Sequence, residues 1–155
     1  MTLALRPVTP ANLATLLPLM AAFYQHFGYA HHPAAQQALA AEFVAHPEWG
    51  ALYLLDEAGQ AVGYVALTYG FTFERGGRYA LVDELYVEGA ARSRGVGRAA
   101  LQLLQHQAWS AGLVALYLQT EPYNARAQQL YESVGFVDDG RRNLAWFSGL
   151  GLSKE

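Results

Sequence analysis

A chain of 155 residues with 53% hydrophobic residues, including 7 Phe, 10 Tyr and 3 Trp, carries enough apolar surface for one domain with its own core, which excludes disorder. The net charge of −3, with arginines clustered rather than spread along a face, excludes general nucleic-acid binding. The absence of cysteine excludes disulfides, thiolate metal sites and a cysteine nucleophile.

No apolar stretch reaches the roughly 18 residues of a membrane span, and Met1 to Pro10 lacks the pattern of a signal peptide. The expectation is a soluble cytoplasmic protein with no membrane partner. Thr2 to Val8 reads as a first strand. Thr9 and Pro10 read as the N-cap and first position of a helix. Leu13, Leu16, Leu17, Met20, Phe23 and Phe27 follow at helical spacing, and Gly28 stops them. Pro18 is expected to kink or break that helix. Pro33 opens a second helix that ends near Pro47.

Ala51 to Asp56 and Val62 to Phe73 read as strands around the turn Glu57 to Gln60. Arg75 to Arg78 carries a Gly-Gly hairpin signal. Tyr79 to Val87 is the central strand, apolar on both faces, which implies a sheet covered on both sides. A helix follows from about Val96 to Ser110. Val114 to Thr120 is a fifth strand, Asn124 to Val134 a last helix, and Phe136 to Phe147 a final strand interrupted near Asp139-Gly140. The order β-α-α-β-β-β-α-β-α-β is a mixed α/β fold. Residues 1–147 form one domain and 148–155 a loose tail.

The basic loop Arg92-Ser93-Arg94-Gly95-Val96-Gly97-Arg98 sits at a helix start. Glycines let the backbone come close to a ligand, free N–H groups and the helix dipole favour negative charge, and arginines add charge-assisted bonds. This suits a polyanionic phosphate. It is not a P-loop, because no Gly-Lys pair exists. Gly95 to Ala100 also matches the dinucleotide pattern G-x-G-x-x-A, with Glu121 downstream. However, Glu88 to Arg94 separate the strand from Gly95, and a hairpin precedes the loop where that fold needs βαβ units.

Three segments together carry a resemblance. Arg92-x-x-Gly95-x-Gly97 is similar to the coenzyme A pyrophosphate loop of the GCN5-related N-acetyltransferases. Asp83-Glu84-Leu85-Tyr86-Val87 resembles that family's central strand. Asn124, Tyr131 and Gly135-Phe136 resemble its "N…Y…GF" segment. Within the family, the histone and polyamine acetyltransferase branch is the most similar, with aminoglycoside and other small-amine enzymes close by.

The resemblance implies an acetyl-CoA-dependent N-acetyltransferase, with no metal. Its acceptor would be a primary amine of a cationic small molecule or protein lysine, attacked directly in a ternary complex. A carboxylate attracts the ammonium and takes its proton, so Asp83 and then Glu84 are the candidate bases, read as lying on opposite faces of the strand. Tyr131 resembles the acid that protonates the leaving thiolate. The backbone of Leu85, Tyr86 and Val87 would pair with the pantetheine arm. The loop N–H groups from Arg94 through Gly95, Val96 and Gly97 to Arg98 would hold the pyrophosphate, with the Arg92 and Arg98 side chains on its oxygens. Asn124 either touches the cofactor or caps the last helix. Tyr24, Phe27, Tyr29 and Glu121 would bind the acceptor. A homodimer is also implied. A non-catalytic acyl-CoA-binding module of the same fold is the alternative. His26, His31 and His32 lack ligand spacing for zinc.

Overall fold

The computed structural model describes residues 2–154; Met1 of the expected domain and Glu155 of the expected tail lie outside the described residues. One five-stranded sheet organises the chain, in the order β1 (Leu3–Pro7), β2 (Gly50–Glu57), β3 (Gln60–Thr72), β4 (Gly77–Val87), β5 (Ala115–Leu118). The first four strands are antiparallel neighbours, and β4 and β5 are parallel. With a single parallel pair and no repeated βαβ unit, the sheet is not a dinucleotide-binding one.

Both faces are covered, as the apolar pattern of β4 requires. Helices α1 (Leu13–Phe27) and α2 (Pro33–Val44) cover one face, where Leu16, Met20 and Phe23 pack on Leu54, Tyr64 and Tyr86. Helix α3 (Val96–Ser110) covers the other, with Val96, Ala100 and Leu104 on Leu55, Val65 and Val82. Helix α4 (Ala125–Ser133) is short and buries no residue fully.

Three expectations need correction. The first helix begins at Leu13, not Pro10, because Asn12 folds the entry into a turn: its side chain accepts from the Thr9 N–H and donates to the Pro7 carbonyl. Pro18 does not break α1. Pro18 and Ala14 are both exposed, so the carbonyl that loses its partner faces water. Finally, Phe136 to Phe147 forms no strand within this chain, and the segment lies outside the sheet.

The sheet has one irregularity that matters. Ala66 pairs with Glu84, but Leu67 pairs with Val82, so Asp83 is an extra residue in β4. Nearby, β3 and β4 approach closely at Gly63, where an added Cβ would lie 2.1 Å from the Tyr86 carbonyl oxygen. Gly63→Ala is therefore expected to push the strands apart and cost about 1–3 kcal/mol in stability. Thermal unfolding checks it; an unchanged midpoint would show that the pair can part freely.

Candidate active site

The bulge reverses the side-chain alternation of β4. Val82 shares the α3 face with Leu67, whereas Glu84, two residues on, shares the α1 face with Ala66. Asp83 alternates with Val82 and so lies on the Glu84 side. The two carboxyl groups therefore stand on one side of the sheet, not on opposite faces as alternation predicts. Burial is the first cause that raises the pKa of Glu84, Tyr24 and Tyr64, and the Asp83 charge adds to it in the same direction.

The same place marks the end of strand pairing. The parallel ladder stops at Val82 opposite Leu118, so Asp83 to Val87 keep β3 on one edge and have no strand on the other. Leu85, Tyr86 and Val87 lie on this stretch, and of their backbone groups the Val87 carbonyl is already taken by the Arg92 Nε.

Glu84 is held from two sides. Tyr24 donates its hydroxyl at 2.6 Å and Tyr64 at 3.0 Å. Burial pushes the carboxyl above its usual range, while the two phenols pull it back. Tyr64 is fully buried and sequence reasoning missed it; it stands opposite Tyr86 across β3 and β4, and the Tyr64–Glu84 bond has no sequence signature. Asp83 is open at the mouth. Burial still raises its carboxyl, opposed by the Lys154 ammonium.

An aromatic wall stands beside these carboxyls. Tyr24 lies edge-on to Tyr29 at 6.0 Å, and Phe27 stacks on Tyr29 at 5.7 Å. The Tyr29 phenol is pushed up by burial first and then by Glu121 and Tyr123. The structure thus brings Tyr24, Phe27, Tyr29 and Glu121 together. Gln36, the buried polar side chain of α2, also reaches Tyr24 and was not foreseen.

The loop is built as a cradle. Ser93 and Gly95 adopt left-handed backbone, and the first bond of α3 runs from the Ala99 N–H to the Gly95 carbonyl. The N–H groups of Val96, Gly97 and Arg98 thus have no intrahelical acceptor. Arg94 is locked by two bonds to Glu57, at 2.9 and 3.1 Å, which also holds the Glu57 carboxyl below its usual range. Arg92 turns back: its Nε donates to the Val87 carbonyl at 2.9 Å, and its guanidinium lies over the Tyr86 ring. The Arg98 side chain has no ion-pair partner among the described residues.

Helix α4 closes over this loop. Arg126 donates to the Ser93 hydroxyl at 2.7 Å, and Gln105 of α3 donates to the Val134 carbonyl at 2.8 Å. Asn124 caps α4 by accepting from the Ala127 N–H at 3.2 Å. Tyr131 is half-buried beside Phe136, and burial pushes its phenol up, so it carries its proton at neutral pH. Neither Glu57 nor Arg126 had a sequence signal, since each acts across 30 or more residues through one side-chain bond.

An open strand edge, a loop of free N–H groups and a capped helix against that loop can hold an extended phosphorylated thioester. The sequence pattern of the acetyltransferase (GNAT) family matches residues 15–136. The chain belongs to the GNAT acetyltransferase family. Among curated relatives, the D-amino-acid N-acetyltransferase of Saccharomyces cerevisiae is 35% identical over 91 residues, which cover 59% of this chain and 56% of the yeast protein. The match thus spans little more than half of that relative. An integron cassette protein from the mobile metagenome of Cole Harbour salt marsh has a solved structure with a TM-score of 0.83, 31% identity, and 97% of this chain and 92% of its own covered. An aminoglycoside N-acetyltransferase solved in complex with CoA shares the fold at a TM-score of 0.78 and 17% identity, over 95% of each chain.

The titration of Glu84 supplies a check on this site. A carboxyl whose folded pKa lies above its unfolded value stabilises the fold fully below the unfolded pKa, and that contribution is lost as pH rises through the folded pKa. Glu84→Gln keeps an oxygen for the two phenols without a buried charge. The variant should therefore melt higher than the parent at pH 7, with the gap narrowing toward pH 5. A gap independent of pH would show that Glu84 titrates as an ordinary carboxylate.

Proposed function

We propose that the chain is an acetyl-CoA-dependent N-acetyltransferase for a cationic amine. The observation that carries this reading is the bulge at Asp83, which puts two carboxyls on one side of β4 where its edge comes free of β5. Bound acetyl-CoA would supply a thioester carbonyl. The cradle N–H groups of Val96, Gly97 and Arg98 fit its phosphates, with the Arg98 guanidinium beside them. Arg94 contributes by holding the loop to β2 through Glu57, so its side chain positions the cradle instead of reaching a phosphate. The strand edge from Leu85 to Val87, which β5 does not cover, fits the amide groups of a pantetheine arm, with Arg92 yielding the Val87 carbonyl to the ligand.

An alkylammonium has a pKa near 10.4, so at neutral pH about one molecule in a thousand is the free amine. Asp83 is the open carboxyl and takes that proton, directly or through water. Glu84, tied to Tyr24 and Tyr64, keeps the site negative and orients the acceptor. The rings of Tyr24, Phe27 and Tyr29 suit the face of an organic cation. Tyr131 keeps its proton until a thiolate forms and can then donate it. With no cysteine in the chain, the amine attacks directly in a ternary complex. Polyamines, aminoglycosides, other small amines and protein lysine share this chemistry, and the histone and polyamine branch is the assignment we favour within the family.

Release of CoA against a panel of amines is the test. Asp83→Asn should lower kcat roughly 10²-fold or more, the usual share of a general base, and leave acetyl-CoA affinity within about twofold. In the parent, kcat/KM should rise with pH along a limb lying above the ordinary carboxylate range, and the variant should lose that limb. Tyr131→Phe should lower kcat with little change in KM. Full turnover in the double variant would remove both residues from the mechanism. Binding of acetyl-CoA without turnover on any amine would favour the non-catalytic module.

A further inference from the structure

The chain contains a single lysine, Lys154. After α4, residues 137–152 neither give nor accept a backbone-to-backbone hydrogen bond among the described residues, and Leu144 and Leu150 are 96% and 93% exposed. The chain then comes back to the body. Leu152 is 51% exposed, His32 Nε2 donates to the Ser153 carbonyl at 3.2 Å, and the Lys154 ammonium lies 5.4 Å from the centre of the Tyr29 ring.

That landing point is the aromatic wall beside the two carboxyls. Tyr29 stacks on Phe27 and lies edge-on to Tyr24, the ring that holds Glu84. Its N–H donates to the Tyr24 carbonyl at 2.8 Å, and His32 opens α2 three residues on. The anchor for Ser153 and the ring under Lys154 thus belong to one short connection between α1 and α2. Negative charge gathers around that ring: after burial, Glu121, Tyr123 and Glu84 raise the Tyr29 phenol. At Asp83, burial raises the carboxyl and the Lys154 charge opposes that rise. Lys154 nevertheless forms no ion pair among the described residues. The ammonium rests on a ring face in the field of the carboxyls, with no single carboxylate locking it there.

We propose that Lys154 is an internal acceptor: the enzyme acetylates its own Lys154 Nζ at the site that otherwise takes a free amine. The inference rests on the acetyltransferase reading of that site. The tether supplies what a dilute amine lacks. Lys154 belongs to the same chain and follows an anchored Ser153, so its side chain stays by the site at an effective concentration on the order of millimolar. In the step, the Lys154 ammonium gives a proton to Asp83, directly or through water. The Nζ lone pair attacks the thioester carbonyl carbon. A C–N bond forms, the C–S bond breaks, and its electron pair leaves on the CoA sulfur, which takes a proton from Tyr131. The amide product carries no charge, which ends its attraction to the Tyr29 face and the carboxyls and makes the event a single one per chain.

The test is incubation of the full chain with acetyl-CoA and no free amine, followed by mass mapping of its peptides. One acetyl group per chain should appear on Lys154. The rate constant should hold over roughly tenfold dilution of the protein, since the reacting groups travel together. Asp83→Asn should slow the labelling about 10²-fold or more, as it slows transfer to a free amine. Lys154→Arg keeps the positive charge and should gain no acetyl group at that position while still releasing CoA with free amines. An unmodified Lys154 in a preparation that acetylates free amines would overturn the proposal and leave the acetyltransferase reading standing. Failure of both acetylations would overturn both. Labelling that slows in proportion to dilution, or that Asp83→Asn leaves at the parent's rate, would show chance chemistry in solution and overturn the proposal as well. Should Asp83→Asn not fold, the dilution series on the parent decides alone.

Discussion

Everything at the candidate site depends on one extra residue in a strand. Asp83 has no partner on β3, and that insertion does three things at once. It turns two consecutive carboxyl groups to one side. It bends β4 at the point where the parallel ladder to β5 ends, at Val82 and Leu118. It leaves the following backbone paired on one edge only. A regular strand would have hidden one carboxyl under α3 and closed the edge.

The surroundings are arranged to keep this irregularity in place. The strand pair is clamped beside it by Gly63, whose missing Cβ makes room for the Tyr86 carbonyl. Tyr64 and Tyr24 hold Glu84 from the sheet and from α1, so the second carboxyl is fixed by two elements that pack together anyway. On the far side, the Arg94–Glu57 pair ties the loop to β2 and Arg126 ties α4 to the loop. Exposed contacts of this kind, one an ion pair and one a hydrogen bond to a hydroxyl, add little to stability. Their effect is to limit where the cradle can be.

Much of the fold was legible because it rests on local signals. Gly28 and Gly135 stop their helices with left-handed backbone, Pro33 opens α2, and α3 runs from Val96 to Ser110 as its spacing predicts. The loop was readable for the same reason: its chemistry is contiguous. The bulge was not readable, since Asp83 looks like any alternating strand residue until the register of β3 is known. Asn12, whose side chain ties back to Thr9 and Pro7 and delays the start of α1, shows the same limit on a smaller scale, as does the Tyr64–Glu84 bond. The final strand was the instructive case: Phe136 to Phe147 has a strand pattern, but a strand also needs an edge to pair with, and pattern alone does not supply one.

The central claim is that the free edge of β4 and the cradle at α3 together hold acetyl-CoA. Isothermal titration of the full chain with acetyl-CoA tests it most directly. The account predicts one site per chain with micromolar affinity, weakening as salt rises because the phosphates meet positive charge. No binding at millimolar acetyl-CoA would contradict the cradle and the reading of the site built on it.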